Sequence, residues 1–161
     1  MQTNRRTFLA ATTLGALTAA CGGAPAEAAQ RFPFTLSNAE WRKRLSPAAY
    51  NVLRNEGTER PYSSALNKEH RAGTFACAGC GLPLFASKTK FESGTGWPSF
   101  YQPLGNAVVT RSDRTLGMLR TEVQCRRCGG HLGHVFDDGP RPTGKRYCMN
   151  GVAMTFRPSP A

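Results

Sequence analysis

Two short stretches of one pattern decide how this chain folds: CAGCG at residues 77–81 and CRRCG at residues 125–129. In each stretch two residues separate the cysteines, so both sulfurs can turn toward one point. The glycine after the second cysteine permits a backbone in which amide groups face the thiolates. Two such stretches supply the four thiolate ligands of a closed tetrahedral zinc site. The pattern predicts one structural zinc ion, held by Cys77, Cys80, Cys125 and Cys128.

The 44 residues between the two cysteine pairs (81–124) are too many for a compact zinc finger. A metal ion bound by both would close a long loop and join two distant hairpins of one domain. Two other interpretations of these cysteines remain. In an oxidising compartment they could form disulfides, or each pair could be a redox dithiol, although neither pair has the βαβ context of a thioredoxin-type motif.

The chain before the first stretch predicts two short helices. Ser37 and Glu40 have the spacing of a capping box, and Ser46-Pro47 begins a second helix with proline at its first position. The inward side of that second helix carries Tyr50, Leu53 and Val52, and Gly57 is expected to end it.

Beyond residue 57, short apolar and β-branched runs alternate with Gly, Pro, Ser and Asn, a texture typical of strands. Residues 107–110 and 115–124 are predicted strands joined by a turn at Ser112-Asp113. Residues 147–156 form another predicted strand, interrupted at Gly151. The whole predicts two N-terminal helices packed on an antiparallel β domain.

Cys148 stands apart from the paired cysteines, in the sequence RYCMN at residues 146–150. On a strand, Arg146, Cys148 and Asn150 would share one face. A neighbouring cation favours the thiolate, which is the nucleophilic form of cysteine. A buried structural cysteine is the alternative interpretation.

Two of the three histidines, His131 and His134, follow the second stretch closely. Because four cysteines already complete a zinc shell, acid–base chemistry near a cysteine nucleophile is the favoured role. A hydrogen-bonded structural role is the alternative, above all for His131. Trp97 lies in a loop rich in glycine and proline, where it could form a pocket wall or pack in the core.

Composition excludes several classes of protein. The 161 residues suit one domain with a tail, and the 40% hydrophobic share excludes disorder along the whole length. Six cysteines are too few for a small disulfide scaffold, and no apolar run reaches the roughly 20 residues of a membrane helix. The net charge of +11 allows an anionic partner, but the basic residues are scattered, apart from 42–44 and 126–127. The alternative function is a zinc-stabilised module that binds nucleic acid or another anionic partner. Because such a module would gather basic residues beside the cysteine stretches, and only residues 126–127 fit, we expect no nucleic-acid partner.

Residues 1–29 have the pattern of a twin-arginine export signal, with Arg5-Arg6 before the uncharged stretch 8–20. Small residues at 24–29 offer cleavage sites, so residues 30–161 would form the domain and the bacterial periplasm would be its location. Cys21 also resembles a lipoprotein acceptor, which makes a lipid anchor the alternative to simple cleavage. A disordered N-terminus with a chance arginine pair is the remaining interpretation.

Six segments together closely resemble the peptide methionine sulfoxide reductases of the B type, which act on the R epimer. They are the two cysteine stretches and GTERPYS (57–63), GTGWPSF (94–100), HLGHVF (131–136) and RYCMN (146–150). The resemblance covers about residues 37–157. It implies a mainly β fold in which two antiparallel sheets form a sandwich- or barrel-like core, with short N-terminal helices and a structural zinc.

The resemblance also implies the reaction: methionine R-sulfoxide in proteins and peptides is reduced to methionine, and Cys148 becomes a sulfenic acid. Trp97 would pack against the S-methyl group of the substrate. His131, His134 and Asn150 would orient the sulfoxide oxygen or supply its proton. Arg146 and Asp138 would hold the polar side of the pocket.

One departure from the family concerns regeneration. Many relatives place a resolving cysteine just before the tryptophan loop, and residues 91–96 contain none. We therefore expect an external thioredoxin-like thiol to attack the Cys148 sulfenic acid directly. A monomer without a membrane span is expected.

Overall fold

The computed structural model describes residues 31–160, so the predictions for residues 1–29, including Cys21, lie outside the described residues. Within the described part the chain forms two α-helices followed by nine strands. The helices are α1 (Asn38–Arg44) and α2 (Pro47–Asn55). The strands are β1 (Gly73–Cys77), β2 (Pro83–Ala86), β3 (Lys90–Phe91), β4 (Ser99–Phe100), β5 (Val108–Asp113), β6 (Arg120–Cys125), β7 (His131–Phe136), β8 (Arg146–Met149) and β9 (Met154–Pro158).

The strands form two antiparallel sheets. A three-stranded sheet has the order β2-β1-β9, and a six-stranded sheet has the order β3-β4-β8-β7-β6-β5. The prediction of a mainly β fold with two antiparallel sheets and short N-terminal helices is confirmed. No helix in the described part is both long and apolar enough to cross a membrane.

Aromatic side chains from both sheets meet in the core. Phe75 on β1 and Phe85 on β2 each contact Phe100 on β4, with ring centroids 4.9 and 4.4 Å apart. All three side chains are fully buried. Because buried apolar area is the main favourable contribution to folding, this contact holds the two sheets together.

The two helices follow the sequence prediction closely. Ser37 and Glu40 form the capping box, and Ser46 caps α2. The buried face of α2 includes Tyr50, Val52 and Leu53, as predicted. The helix ends one residue earlier than expected, because Glu56 rather than Gly57 takes the left-handed conformation, with φ of 57°.

Two strand predictions need correction. β5 continues through Ser112-Asp113, and the turn lies beyond, where residues 115–117 form a 3₁₀ turn before β6 begins at Arg120. The run 147–156 breaks near Gly151 as predicted, but its two parts, β8 and β9, belong to different sheets. In both places local propensity was overridden by the pairing of the strands.

Candidate active site and metal centre

The four cysteines of the two stretches form one buried cluster. Sγ of Cys77 lies 3.7 Å from Sγ of Cys128, and Sγ of Cys80 lies 3.5 Å from Sγ of Cys125. All four sulfurs lie within 4.8 Å of one another, and the thiols are free. Zn–S bonds of about 2.3 Å in a tetrahedron put the sulfurs roughly 3.8 Å apart. The cluster therefore has the donor set and the size for a zinc ion.

The same backbone hydrogen bonds build both cysteine turns. The N–H of Gly81 donates to the carbonyl of Cys77, and the N–H of Gly129 donates to the carbonyl of Cys125, each at 2.8 Å. Both glycines have positive φ, 75° and 67°, a region that glycine adopts without steric cost. The local pattern thus sets the shape of each turn, and the fold brings the two turns together.

A row of polar side chains crosses the six-stranded sheet on one face. Cross-strand pairs join Arg111 on β5 to Glu122 on β6, and Glu122 to His134 on β7. Cys148 on β8 then pairs with His134 on one side and with Ser99 on β4 on the other. Directly opposed residues of an antiparallel pair share a face of the sheet. The strand register therefore places a cation, a carboxylate, an imidazole, a thiol and a hydroxyl in line.

An irregularity in the pairing of β6 with β7 brings both histidines to this face. His134 pairs with Glu122, whereas His131 pairs with Gln124, so three steps along β7 match two along β6. Without this bulge, strand alternation would send residues 131 and 134 to opposite faces. The two imidazole centroids instead lie 5.4 Å apart.

His131 is buried and held by a carboxylate. Its Nδ1 lies 2.7 Å from Oε1 of Glu122, and Arg111 forms a second ion pair with the same carboxylate. Burial would raise the pKa of Glu122, but hydrogen bonds from His131 and Arg111 outweigh it and the net pKa is lowered. The ionised carboxylate accepts the Nδ1 hydrogen. Nε2 of His131 is buried without a hydrogen-bond partner in residues 31–160.

His134 is held by a different carboxylate. Its Nε2 lies 2.7 Å from Oδ2 of Asp113, which Arg120 also contacts at 2.7 Å. Hydrogen bonds, first from Thr115 and then from His134, lower the pKa of Asp113. Burial lowers the pKa of His134, although Asp113 acts in the opposite direction. His134 is therefore neutral near pH 7, with its hydrogen on Nε2 and a lone pair on Nδ1.

A cavity of about 140 Å³ opens at the centre of this row. Its lining consists of Thr58, Trp97, Arg120, Gly133, His134, Phe136, Cys148 and Asn150. Pockets for whole small molecules usually span roughly 300–1,000 Å³, so this one suits the end of a single side chain. A larger groove of about 520 Å³ lies beside it, between α2 and residues 58–64, but contains neither a thiol nor an imidazole.

Glu59 joins several parts of the cavity wall. Its carbonyl accepts the indole N–H of Trp97 at 3.2 Å, and its own N–H donates to Oδ1 of Asn150 at 2.9 Å. Its carboxylate accepts the N–H groups of residues 151–152. Nδ2 of Asn150 also donates to the carbonyl of Leu132 at 3.1 Å. One amide hydrogen of Asn150 is left for a ligand.

The surroundings of Cys148 combine a hydroxyl with a cation. Oγ1 of Thr95 lies 3.6 Å from its Sγ. Arg146 forms a bidentate ion pair with Asp138, at 2.9 and 2.8 Å, and its guanidinium lies 4.4 Å from the ring centre of Phe136. Hydrogen bonding to Asp138 raises the pKa of Arg146, with a smaller contribution from Cys148. Arg146 and Asp138 do not line the cavity; Arg146 packs on Phe136, which does.

The structure brings four of the residues singled out from the sequence to the cavity: Cys148, His134, Asn150 and Trp97. His131 lies behind His134, and the Arg146–Asp138 pair lies outside the lining. Sequence reasoning assigned no role to Thr58, Glu59, Thr95, Asp113, Arg120, Glu122 and Phe136. None of these residues stands in a spacing pattern that indicates a functional role. Glu122 and Gln124 were a usable clue, since they are polar residues beside apolar Val123 in a strand that reaches the cysteine cluster.

Known proteins share this sequence across the described domain. The SelR domain family matches residues 45–158. A protein named peptide methionine sulfoxide reductase MsrB, from Leptospira interrogans serogroup Icterohaemorrhagiae serovar Lai, is 54% identical over 75% of this chain and 93% of the relative. Proteins of the same name from Pseudomonas putida (strain W619) and Methanosarcina barkeri are 56% and 55% identical, over 74% and 75% of this chain and 90% and 86% of the relatives. The chain belongs to the B-type peptide methionine sulfoxide reductases, the family that carries the SelR domain.

Proposed function

We propose that this protein reduces methionine R-sulfoxide in peptides and proteins to methionine, with Cys148 as the nucleophile. The observation that carries the proposal is the small cavity, which combines a thiol, a neutral imidazole and an indole in a space for one side-chain end. Membership of the family supports the same reaction, because the relatives are named for it.

The reaction begins with a proton transfer. Nδ1 of His134 accepts the thiol proton of Cys148, and the thiolate attacks the sulfoxide as His134 returns that proton to the oxygen. A sulfur–oxygen bond forms at Cys148 while the sulfur–oxygen bond of the substrate breaks. Methionine leaves, reduced by two electrons, and Cys148 remains as a sulfenic acid, oxidised by two electrons.

Three side chains would orient the sulfoxide. The indole of Trp97 packs against the S-methyl group, and the free amide hydrogen of Asn150 donates to the oxygen. His131, whose ring centroid lies 5.4 Å from that of His134, would be the third and would help to orient the sulfoxide oxygen. Fixed places for the methyl group and the oxygen admit one arrangement around sulfur, which is the basis of selectivity for the R epimer.

Regeneration would use an external thioredoxin-like dithiol. The other four cysteines of the described part belong to the cysteine cluster, and residues 91–96, where a resolving cysteine was sought, offer the Thr95 hydroxyl to Cys148 instead of a thiol. A donor thiol attacks the sulfenic acid, water leaves, and a mixed disulfide forms. The second donor thiol then releases reduced Cys148 and an oxidised donor.

The metal we propose for the cysteine cluster is zinc. Cys77, Cys80, Cys125 and Cys128 would hold it as four thiolates, which is the ligand set of a closed structural site. Such a zinc ion supplies a link between β1 and β6, and the reaction steps above use only side chains of the cavity.

Export is also proposed, on the pattern of residues 1–29 alone. The mature domain, residues 30–161, would act as a monomer in the bacterial periplasm on oxidised protein substrates. Measuring the N-terminal mass of the protein recovered from a periplasmic fraction would distinguish cleavage from lipidation at Cys21, and finding the intact chain in the cytoplasm would contradict export.

Less supports the alternative of a zinc-stabilised nucleic-acid binder. Arg127, one of the two basic residues in the second cysteine stretch, donates to the carbonyl of Cys80 and stacks 5.6 Å from the ring centre of Phe34. Because Arg127 is engaged in these contacts, Arg126 is the basic residue of that stretch that remains to contact an anionic partner.

The test of the proposed reaction offers a peptide with mixed R and S methionine sulfoxide to the purified protein and a dithiol reductant. Chiral chromatography follows each epimer. We expect the wild-type protein to consume the R epimer only. Cys148→Ser should consume neither epimer, whereas Ser112→Ala, which removes an exposed hydroxyl on β5, should behave like the wild type. If folded, zinc-containing protein consumes neither epimer, the proposed reaction is wrong.

A further inference from the structure

Three hydroxyl groups extend in a line away from the sulfur of Cys148. Oγ1 of Thr95 lies 3.6 Å from Sγ and 2.8 Å from Oγ of Ser93. Oγ of Ser93 lies 2.7 Å from Oγ of Ser99, which donates to the carbonyl of Trp97 at 3.1 Å. A continuous chain of hydrogen bonds therefore joins the reactive sulfur to the backbone of the tryptophan loop.

The fold holds this chain in place at both ends. Ser99 is 1% exposed and is the cross-strand partner of Cys148, so its position is set by the pairing of β4 with β8. Thr95 stands between Gly94 and Gly96, whose positive φ values of 72° and 93° let the loop fold back over the sheet. The hydroxyl of Thr95 reaches Sγ because of this turn.

Each hydroxyl carries one hydrogen, so the chain has two directions. In one direction the Cys148 thiol donates to Thr95, and the hydrogens run through Ser93 and Ser99 to the Trp97 carbonyl; this thiol hydrogen turns to His134 when the reaction begins. When Cys148 is a thiolate, the direction reverses, and the hydrogens of Ser99, Ser93 and Thr95 all point toward the sulfur. An O–H donor to an anion is stronger than one to a neutral acceptor, so the reversed chain stabilises the thiolate.

We propose that Thr95 is a further catalytic residue, which donates a hydrogen bond to the Cys148 thiolate, and that Ser93 and Ser99 are positioning residues that fix its hydroxyl. This inference rests on the proposed function in that it takes Cys148 as the nucleophile. It adds a way in which the tryptophan loop tunes that nucleophile without contributing a charge.

The test compares four single substitutions in the full chain, two of them at Thr95. Thr95→Val keeps the shape and removes the hydroxyl, whereas Thr95→Ser keeps the hydroxyl and removes a methyl group. The readout is the rate of Cys148 alkylation by iodoacetamide as a function of pH, quantified on the Cys148 peptide by mass spectrometry. This readout does not depend on reductase turnover, so it separates failure of this inference from failure of the proposed reaction.

We expect Thr95→Val to alkylate about five- to tenfold more slowly at pH 7, with the midpoint of its pH profile moved upward, because a hydrogen bond to a charged group is lost. Thr95→Ser should stay within about twofold of the wild type. Ser93→Ala and Ser99→Ala should shift the profile in the same direction by about two- to threefold, since they loosen the donor without removing it. If the Thr95→Val profile superimposes on that of the wild type, or if Thr95→Ser moves it equally, the inference is overturned.

Discussion

The metal cluster and the thiol cavity both depend on cysteine, yet they are built in different ways. Each half of the metal cluster is a local turn, in which two cysteines and a glycine stand within five consecutive residues. The cavity instead collects Trp97, His134 and Cys148 from three separate segments, and only the strand register brings them together. Local spacing is enough to describe the first region, whereas the second exists only in the folded sheet.

The two regions also differ in polarity and in what they can tolerate. The cluster is buried beside apolar side chains, and the role proposed for it is structural. The cavity is lined by a thiol, an imidazole and an amide, and His134 at its wall and His131 behind it are each held by a different carboxylate. We therefore expect substitutions in the first region to affect mainly stability, and substitutions in the second to affect mainly reactivity.

Applying one substitution to both regions separates them most clearly. Cys125→Ser removes a metal ligand, so we expect loss of the bound zinc and a decrease in the free energy of unfolding of at least about 5 kcal/mol, comparable to the whole stability of many domains. Cys148→Ser should keep its zinc and its stability while losing reductase activity. Zinc content and urea unfolding of the two variants measure this. A Cys125→Ser protein with one zinc per chain and a wild-type midpoint would contradict the structural role of the cluster.

The buried carboxylate of Glu122 is expected to support both stability and reactivity, through its ion pairs with Arg111 and His131. Glu122→Gln keeps the size but removes the charge that holds His131 and Arg111, so we expect the free energy of unfolding to fall by about 2–3 kcal/mol. Reductase turnover should fall at least about tenfold, because His131 loses its fixed tautomer. Asp137→Asn, at an exposed ion pair with Lys145, is the control and should change stability by less than about 0.5 kcal/mol. Equal effects of the two variants would show that burial of Glu122 is unimportant.

Gly133 tests how closely β7 and β8 must approach beneath the cavity. A Cβ at this position would collide with the carbonyl oxygen of Cys148, which is backbone and cannot rotate away. Gly133→Ala should lower the free energy of unfolding by about 1–3 kcal/mol and reduce reductase activity. Gly105→Ala is the matched control, since nothing lies within 4 Å of the added atom. Thermal unfolding of both variants measures the effect. A Gly133→Ala protein as stable as the control would show that β7 and β8 do not need this close approach.

The smallest expected effect is a decrease in stability at acid pH, caused by His134 and by the carboxylates that hold the two histidines. Because burial lowers the pKa of His134, the unfolded chain takes up this proton first as the pH falls below about 6.5, and stability decreases. The lowered pKa values of Asp113 and Glu122 act in the same direction at lower pH, as these carboxylates are protonated first in the unfolded chain.

Urea midpoints measured between pH 7.5 and pH 5 check this dependence. His134→Gln should show a weaker loss of stability just below pH 6.5, and His70→Gln, at an exposed position, should follow the wild type. A His134→Gln protein with an unchanged slope would assign the acid sensitivity to other groups.

Much of the fold could be predicted before the structure was known. The helix caps at Ser37 and Ser46 and the two cysteine turns are local signals, in which neighbouring residues satisfy one another's hydrogen bonds. The β5–β6 connection was misplaced, because Ser112-Asp113 looks like a turn but pairs with Thr121 and Arg120 in the sheet. Strand ends depend on the partner strand, which local composition does not describe.

The candidate site shows the same limit in sharper form. Cys148, His134, Asn150 and Trp97 were singled out because they stand in motifs, whereas Glu122, Asp113 and Thr95 contact partners distant in the chain. Arg146 and Asp138 were expected in the pocket, and the structure places them outside its lining. Their pairing uses both side chains, and Arg146 contributes through its contact with Phe136.

The sequence by itself determined which four cysteines form the cluster, where the helix caps stand, and that Cys148 lies apart from the paired cysteines among polar neighbours. These depend on residue type and short spacing, which are written directly in the chain. Only the tertiary structure decided which carboxylate holds which histidine, that a bulge turns His131 and His134 to one face, and that the Thr95 hydroxyl meets Cys148. Those contacts follow from strand register, and register is fixed by the packing of the whole sheet rather than by any single segment.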